Sequence, residues 1–102
     1  MAGIKGSQLI AKHPGRVPVI CKPHEGVELT RTKFLVDGNT IVGNFMAMIR
    51  SHVKVNRFEA VYLLVNNTLI ANNRTFFDVY HEHKDEEDEM VYIHIRKEAT
   101  FG

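Results

Sequence analysis

The chain has 102 residues, of which 44% are hydrophobic and 25% charged, and its formal net charge at pH 7 is +1. This composition is typical of a globular domain, so it excludes a disordered tail, a collagen-like repeat and a coiled coil. The small net charge gives no overall basic field for nucleic acid, and the longest apolar run, residues 61–65, is far below the ~20 residues of a membrane span. A chain of this size can bury one core, so we expect a single domain over residues 1–102.

The first third of the chain predicts a short helix followed by a β-hairpin. Residues 7–13 have room for one short helix that begins with Ser7 as its N-cap and is ended by a Pro-Gly pair. Residues 16–22 are rich in β-branched side chains and predict a strand, which Pro18 would place at a sheet edge or at a bulge. Residues 29–36 predict a second strand, antiparallel to the first because the connection between them is short.

The middle of the chain predicts the main helix. Asn39 or Thr40 can cap its N-terminus. Apolar residues then recur at the three- and four-residue spacing of an amphipathic helix, at Val42, Phe45, Met46, Ile49 and Val53. Gly43 costs this helix about 1 kcal/mol relative to alanine, so its presence indicates a close packing contact.

The last third predicts two strands separated by a short helix. The segment 61–66, which is apolar up to Val65, predicts the most buried strand, and residues 68–73 predict a loop. Thr75 and Asp78 resemble a capping box, which predicts a short helix after them. An acidic stretch follows, and residues 90–95 predict the last strand.

Taken in order, these elements predict an α+β fold of the ubiquitin-like β-grasp type. Two hairpin strands, a crossing helix and two further strands would form a four-stranded mixed sheet, with the short helix at the N-terminus. We expect residues 1–6 to be a flexible N-terminus and residues 97–102 a mobile C-terminal tail.

Two features suggest a function beyond the fold. Gly102 offers a carboxylate with no adjacent Cβ, which can enter a narrow enzyme channel and be transferred to an amine; taken alone, a terminal glycine is weak evidence. The first two strands combine apolar residues with Arg16, Arg31 and Lys33. Such a strand can accept an extended acidic peptide by strand addition, whereas the alternative is a plain core strand with solvated charges.

The sequence carries no sign of metal, cofactor or catalytic chemistry. Of the six histidines, His81 and His83 are two residues apart, which on a helix directs them to different sides. The single cysteine, Cys21, excludes an internal disulfide, suits a reducing compartment and lies in a predicted strand, so we expect a buried, inert thiol. We therefore expect no metal, no cofactor and no enzyme.

Several short segments carry a family resemblance over most of the chain. They are KHPGRVPVI at 12–20, KFLV at 33–36, VGNF at 42–45, IR at 49–50, VNN at 65–67, YHEHK at 80–84 and FG at 101–102. In this order and register the chain resembles the autophagy-type ubiquitin-like modifiers, the family of GABARAP and microtubule-associated light chain 3.

The resemblance implies conjugation through Gly102. A ubiquitin-activating-like enzyme would activate this glycine, and a conjugating-like enzyme would transfer it to phosphatidylethanolamine. The protein would then be cytoplasmic, and bound to the autophagosomal membrane when lipidated. Two alternatives remain open at this point: conjugation to a protein lysine, and a peptide-binding module that is not conjugated.

The resemblance also implies binding of autophagy receptors through acidic aromatic-x-x-aliphatic peptides laid along the second strand. The pocket for the aromatic residue would be lined by Leu9, Pro18, Ile20, Lys33, Leu35 and Met90. The aliphatic pocket would be lined by Phe34, Val36, Phe45 and Met48, with Ile49 behind them. Arg16, Arg31 and His52 would meet the acidic groups of the peptide. Met90 stands where the family usually has an aromatic residue, and Thr40 where it usually has leucine.

Overall fold

The computed structural model describes residues 3–99, which form three helices and five strands. In chain order these are α1 (Gly6–Lys12), β1 (Arg16–Pro23), β2 (Lys33–Asp37), α2 (Val42–His52), β3 (Glu59–Val65), β4 (Thr68–Leu69), α3 (Phe76–His83) and β5 (Val91–Ala99). The sheet has the strand order β2-β1-β5-β3-β4. β1 and β5 are parallel and the other neighbours are antiparallel, which confirms the predicted mixed β-grasp sheet.

The strands alternate, so that every second side chain points to the face of the sheet that the helices cover, and these side chains are buried. In β3, for example, Val61, Leu63 and Val65 are buried and the residues between them are partly exposed. The helices α2 and α3 complete the core, to which α2 contributes the predicted Val42, Phe45 and Ile49. Burial of this apolar surface is the main source of stability for a domain of this size.

β1 lies inside the sheet and pairs with β2 in unbroken register through Pro18, so the prediction that Pro18 marks an edge or a bulge was wrong. The amide of Cys21 donates to the carbonyl of Thr32 on the β2 side, and alternation therefore directs the Pro18 nitrogen toward β5. Pairing with β5 begins one residue later, at Val19. The missing N–H of Pro18 thus falls where the ladder needs no donor, and β2 is the edge strand on this side of the sheet.

The predicted loop at residues 68–73 contains a fifth strand, and this corrects the expected count of four. Asn66 and Asn67 both have positive φ, 52° and 62°. Two such residues are typical of a type I′ hairpin turn, and asparagine tolerates this conformation better than most side chains do. The turn returns the chain so that Thr68 pairs with Val65 at the edge of the sheet.

The helix caps were predicted with mixed success. Thr75 caps α3 as expected, accepting a hydrogen bond from the Asp78 amide at 3.2 Å. Ser7 was wrong as the cap of α1, where Lys5 holds that position. The prediction of Asn39 or Thr40 for α2 was also wrong: its N-cap is Ile41, without a side-chain cap. The start of α2 is held instead by backbone pairing, since Ile41 forms an isolated β-bridge with Thr75.

Gly43 marks the close contact that the sequence predicted. Its amide donates to the carbonyl of Asn72 at 2.9 Å. A Cβ on Gly43 would lie 3.2 Å from the Cβ of Asn72 and 3.3 Å from its carbonyl oxygen. The glycine therefore lets the first turn of α2 approach the segment that precedes α3.

The regular structure reaches further toward both termini than predicted. Gly6 begins α1 and is buried, although it was assigned to the flexible residues 1–6. β5 continues to Ala99, which pairs with Glu59, although residues 97–102 were assigned to a mobile tail. The predicted conjugation site, Gly102, lies outside the described residues. Within residues 3–99, no helix has the length and apolar character needed to cross a membrane.

Candidate functional site

The outer edge of β2 is open to a further strand. Because Cys21 pairs with Thr32 through a hydrogen bond, Phe34 and Val36 also direct their backbone groups toward β1. Lys33 and Leu35 occupy the alternate positions, so their N–H and C=O groups point away from the sheet. An extended peptide that lies beside β2 would meet these groups.

Side chains on β2 project alternately to the two faces of the sheet. Lys33 and Leu35 project to the same face as their partners Ile20 and Pro18. Phe34 and Val36 project to the opposite face, toward the core and α2. The edge strand therefore lies between two distinct side-chain environments.

A groove of about 580 Å³ lies on the first of these faces. Its lining comprises Gly3, Ile4, Leu9, Pro18, Val19, Ile20, Arg31, Lys33, Phe34, Leu35 and Met90. The structure thus brings together all six residues proposed for the aromatic pocket. Gly3 and Ile4 were missed because they precede the first periodic segment, and no signal in the sequence places them against β2.

The residues proposed for the aliphatic pocket lie on the opposite face, and most of them are core residues. Val36, Phe45 and Ile49 are buried, at 8%, 3% and 1% exposure. Phe34 and Met48 are partly exposed and pack against this core. The Phe34 and Phe45 rings meet edge to face with centroids 5.5 Å apart. On this face Phe34 is supported from below by the buried Phe45 ring, and Phe34 and Met48 are the side chains that a ligand could reach.

The basic residues proposed for acidic peptide groups do not all lie together. Arg31 and Lys33 line the groove. Arg16 is at the start of β1, with its guanidinium within 3.4 Å of the Leu35 carbonyl. His52 lies instead at the end of α2, where it lines a separate cavity of about 600 Å³ together with Lys54.

α1 is fixed against the loop that precedes β5. The amide of Gly6 donates to the carbonyl of Asp88 at 2.7 Å, and the Ser7 hydroxyl donates to the Glu89 carboxylate at 2.6 Å. A Cβ on Gly6 would lie 1.8 Å from the Glu89 carbonyl oxygen, so only glycine fits this approach. The contact places Leu9 of α1 on the groove wall.

The same loop is fixed from its other end. The Tyr92 hydroxyl donates to the Asp88 carboxylate. This hydrogen bond and partial burial raise the pKa of Tyr92 to about 12. Asp88 also accepts from the Met90 amide at 3.0 Å, which holds Met90 at the groove. The groove wall therefore combines these local hydrogen bonds with the long-range contacts that Gly6 and Ser7 make to the same loop.

No nucleophile or metal site accompanies the groove in the described chain. Cys21 is buried as predicted, and burial raises the pKa of its thiol to about 12, so the reactive thiolate is suppressed at neutral pH. Among residues 3–99, no three histidine, cysteine or acidic side chains are placed to hold a metal ion.

A histidine pair joins β5 to the connection after β1, away from the groove. Nε2 of His24 and Nδ1 of His94 are 2.9 Å apart, and the rings meet edge to face. In this contact one nitrogen donates and the other must accept, so the pair cannot hold its full complement of protons. Burial first, and then the charges of His24, Lys22 and Arg96, lower the pKa of His94.

We expect stability to fall on acidification because of His94. Its folded pKa is below the ordinary 6.5, so as the pH falls through 6.5 the unfolded chain binds more protons than the folded state. This binding lowers the free energy of the unfolded chain and reduces the free energy of unfolding. Urea midpoints should therefore decrease from pH 7.5 to pH 5, and His94→Gln should reduce that decrease. The exposed His81, replaced in His81→Gln, is the control. Equal pH dependence in wild type and His94→Gln would contradict the assignment.

Comparison with known proteins gives consistent results. A sequence model described as "Autophagy protein Atg8 ubiquitin like" matches residues 3–102. Autophagy-related protein 8 of Eremothecium gossypii is 36% identical over 101 residues, which cover 96% of this chain and 83% of that protein. Human microtubule-associated protein 1 light chain 3 gamma is 37% identical over 107 residues, covering 100% of this chain and 69% of that protein. The crystal structure of Trypanosoma brucei ATG8 superposes with a TM-score of 0.77 at 32% identity, covering 95% and 85% of the two chains.

Proposed function

This chain belongs to the Atg8 family of autophagy-related ubiquitin-like proteins, and we propose that it binds receptors by adding their aromatic-x-x-aliphatic peptides to the edge of β2. The observation that carries the proposal is the pair of environments on either side of this strand. Residues three apart in an extended peptide project to opposite faces. The aromatic side chain of the peptide would therefore enter the 580 Å³ groove, and its aliphatic side chain would reach Phe34 and Met48 on the other face.

Charge supports an acidic peptide. Arg31 and Lys33 line the groove, and Arg16 lies at the start of β1 beside the same edge. Such a cluster accelerates encounter with acidic segments and selects against basic ones. Backbone hydrogen bonds to Lys33 and Leu35 would supply the remaining affinity.

The second part of the proposal is conjugation through Gly102. We infer that a ubiquitin-activating-like enzyme adenylates its carboxylate, that the acyl group passes to the cysteine of a conjugating-like enzyme, and that phosphatidylethanolamine receives it as an amide. The two acyl chains of the lipid would then hold the protein at the autophagosomal membrane. In this scheme the protein is a modifier, and the catalytic groups belong to its enzymes. Mass spectrometry of the conjugate from cells would separate a lipid acceptor from a protein lysine and from an unconjugated protein.

Two substitutions in β2 test the peptide site. Lys33→Glu should weaken an acidic aromatic-x-x-aliphatic peptide about tenfold, because it replaces attraction by repulsion beside the groove. Leu35→Ala should weaken it about fivefold, because it removes an apolar wall. Isothermal titration calorimetry measures both effects.

Arg57→Glu is the control, since Arg57 lies in the loop between α2 and β3 and lines no part of the groove. A peptide with alanine at both anchor positions should not bind measurably. If both β2 variants keep wild-type affinity while their circular dichroism spectra are unchanged, the assignment of the site to β2 is incorrect.

A further inference from the structure

Two arginines of the chain occupy the backbone groups that an added strand would use. Nε of Arg31 donates to the carbonyl oxygen of Lys33 at 3.1 Å. Nη1 of Arg16 donates to the carbonyl oxygen of Leu35 at 3.4 Å. Both carbonyls belong to the outward-facing positions of β2, so two acceptors of the open edge already bind side chains of the same molecule.

Arg31 is held in this position by a second contact. Its guanidinium carbon lies 4.8 Å from the centroid of the Phe34 ring, within the range of a cation–π interaction. Phe34 is itself supported edge to face by the buried Phe45. The guanidinium therefore has a stacking surface and a hydrogen-bond acceptor within three residues of its own backbone, which lowers the entropy cost of holding it there.

Sheet edges need such cover, because unpaired N–H and C=O groups pair readily with other chains. A carbonyl that already accepts from a guanidinium is a poorer acceptor for an incoming peptide amide. We propose that Arg31, assisted by Arg16, forms an arginine cap on the edge of β2, which must be displaced before a peptide strand adds and which selects peptides whose acidic groups bind the released guanidiniums. This inference rests on the proposed peptide-binding function and concerns how the same site is regulated.

The arginine cap makes a prediction that simple charge attraction does not. An acidic peptide replaces the hydrogen bond that Arg31 loses, whereas a neutral peptide breaks it without replacement. Attraction alone predicts that a neutral peptide is insensitive to Arg31. The arginine cap predicts that a neutral peptide binds more tightly once Arg31 is removed.

The test uses two variants and two peptides. Arg31→Met keeps a long apolar side chain over Phe34 and removes the charge and the donors, whereas Arg31→Lys keeps the charge and removes the planar Nε–H donor. The acidic aromatic-x-x-aliphatic peptide is compared with one in which Asn and Gln replace Asp and Glu. One hydrogen bond corresponds to about 2- to 10-fold in affinity.

We expect the neutral peptide to bind about 2- to 10-fold more tightly to both variants than to wild type. The acidic peptide should weaken with Arg31→Met and change less with Arg31→Lys. Arg57→Met, outside the groove, should alter neither affinity. If the neutral peptide binds both variants with wild-type or lower affinity, the arginine cap is refuted.

If neither peptide binds the wild-type protein, the proposed function is refuted, but the arginine cap is not. A measurement on the free protein therefore tests the arginine cap independently of peptide binding. The Arg31 Nε–H resonance should exchange with water more slowly than that of the exposed Arg57. Addition of a binding acidic peptide should shift the Arg31 resonance. Exchange of Arg31 as fast as that of Arg57 would overturn the arginine cap even if the peptides bind.

Discussion

Removal of Gly102 is expected to abolish attachment of the chain to phosphatidylethanolamine in a reaction reconstituted with the activating-like and conjugating-like enzymes, ATP and lipid vesicles. Transfer requires the carboxylate of this residue, first as an adenylate and then as a thioester. The deletion leaves Phe101 at the C-terminus, and its carboxylate lies next to a Cβ that bears a ring. A narrow enzyme channel that admits glycine excludes this residue, so we expect complete loss of product rather than a slower reaction. Gel mobility and mass spectrometry of the product measure the effect.

The fold should be unaffected by this deletion. The last strand pairing in the described chain is between Ala99 and Glu59, three residues before Gly102. The thermal midpoint should therefore equal that of the full chain. Leu35→Ala is the complementary control, since it should lose peptide affinity and keep lipidation. Equal lipidation with and without Gly102 would show that the conjugation proposal is incorrect.

Phe76→Ala is expected to cost about 3–5 kcal/mol of folding free energy, the largest effect of a single core substitution that we predict. Phe76 is fully buried, and its ring meets that of Phe45 edge to face at 5.1 Å. It joins α3 to α2 beneath the sheet, and its amide donates to the carbonyl of Thr40. A loss of this size is a large part of the about 5–15 kcal/mol that stabilises a typical domain.

Urea unfolding followed by circular dichroism measures this loss. Phe76→Leu should cost less, because most of the ring volume stays filled. Leu69→Ala is the control, because Leu69 is 62% exposed and its truncation leaves no cavity. A change below about 1 kcal/mol for Phe76→Ala would mean that this ring does not join the helices as described.

The order of the elements other than β4 and the inward face of α2 could be predicted from local patterns. The segment 61–66 identifies β3 as a buried strand, and the helical spacing identifies Phe45 and Ile49 as core residues of α2. These predictions succeed because side-chain direction depends on backbone periodicity, which is written in consecutive residues. The aromatic pocket was assembled from the family resemblance, and the structure gathers its six residues around one groove.

The two wrong predictions about the strands share a cause. Pro18 was assigned to an edge strand because proline lacks a donor, yet its nitrogen faces a position where β5 has not begun to pair. The strand Thr68–Leu69 was assigned to a loop because its pairing depends on the turn at Asn66 and Asn67. In each case the residue type indicates a local preference, and the pairing with a neighbouring strand determines which structure the segment adopts.

The sequence by itself determined the order of the helices and of every strand except β4, the core face of α2 and the cap of α3, because each depends on residues within a few positions of one another. Only the tertiary structure decided that β2 is the edge, that Arg31 and Arg16 cover its carbonyls, and that α1 is fixed by Asp88 and Glu89. Periodicity sets the face to which a side chain points. It does not set which strand lies alongside, because hydrogen bonds in a sheet join residues that are far apart in the chain.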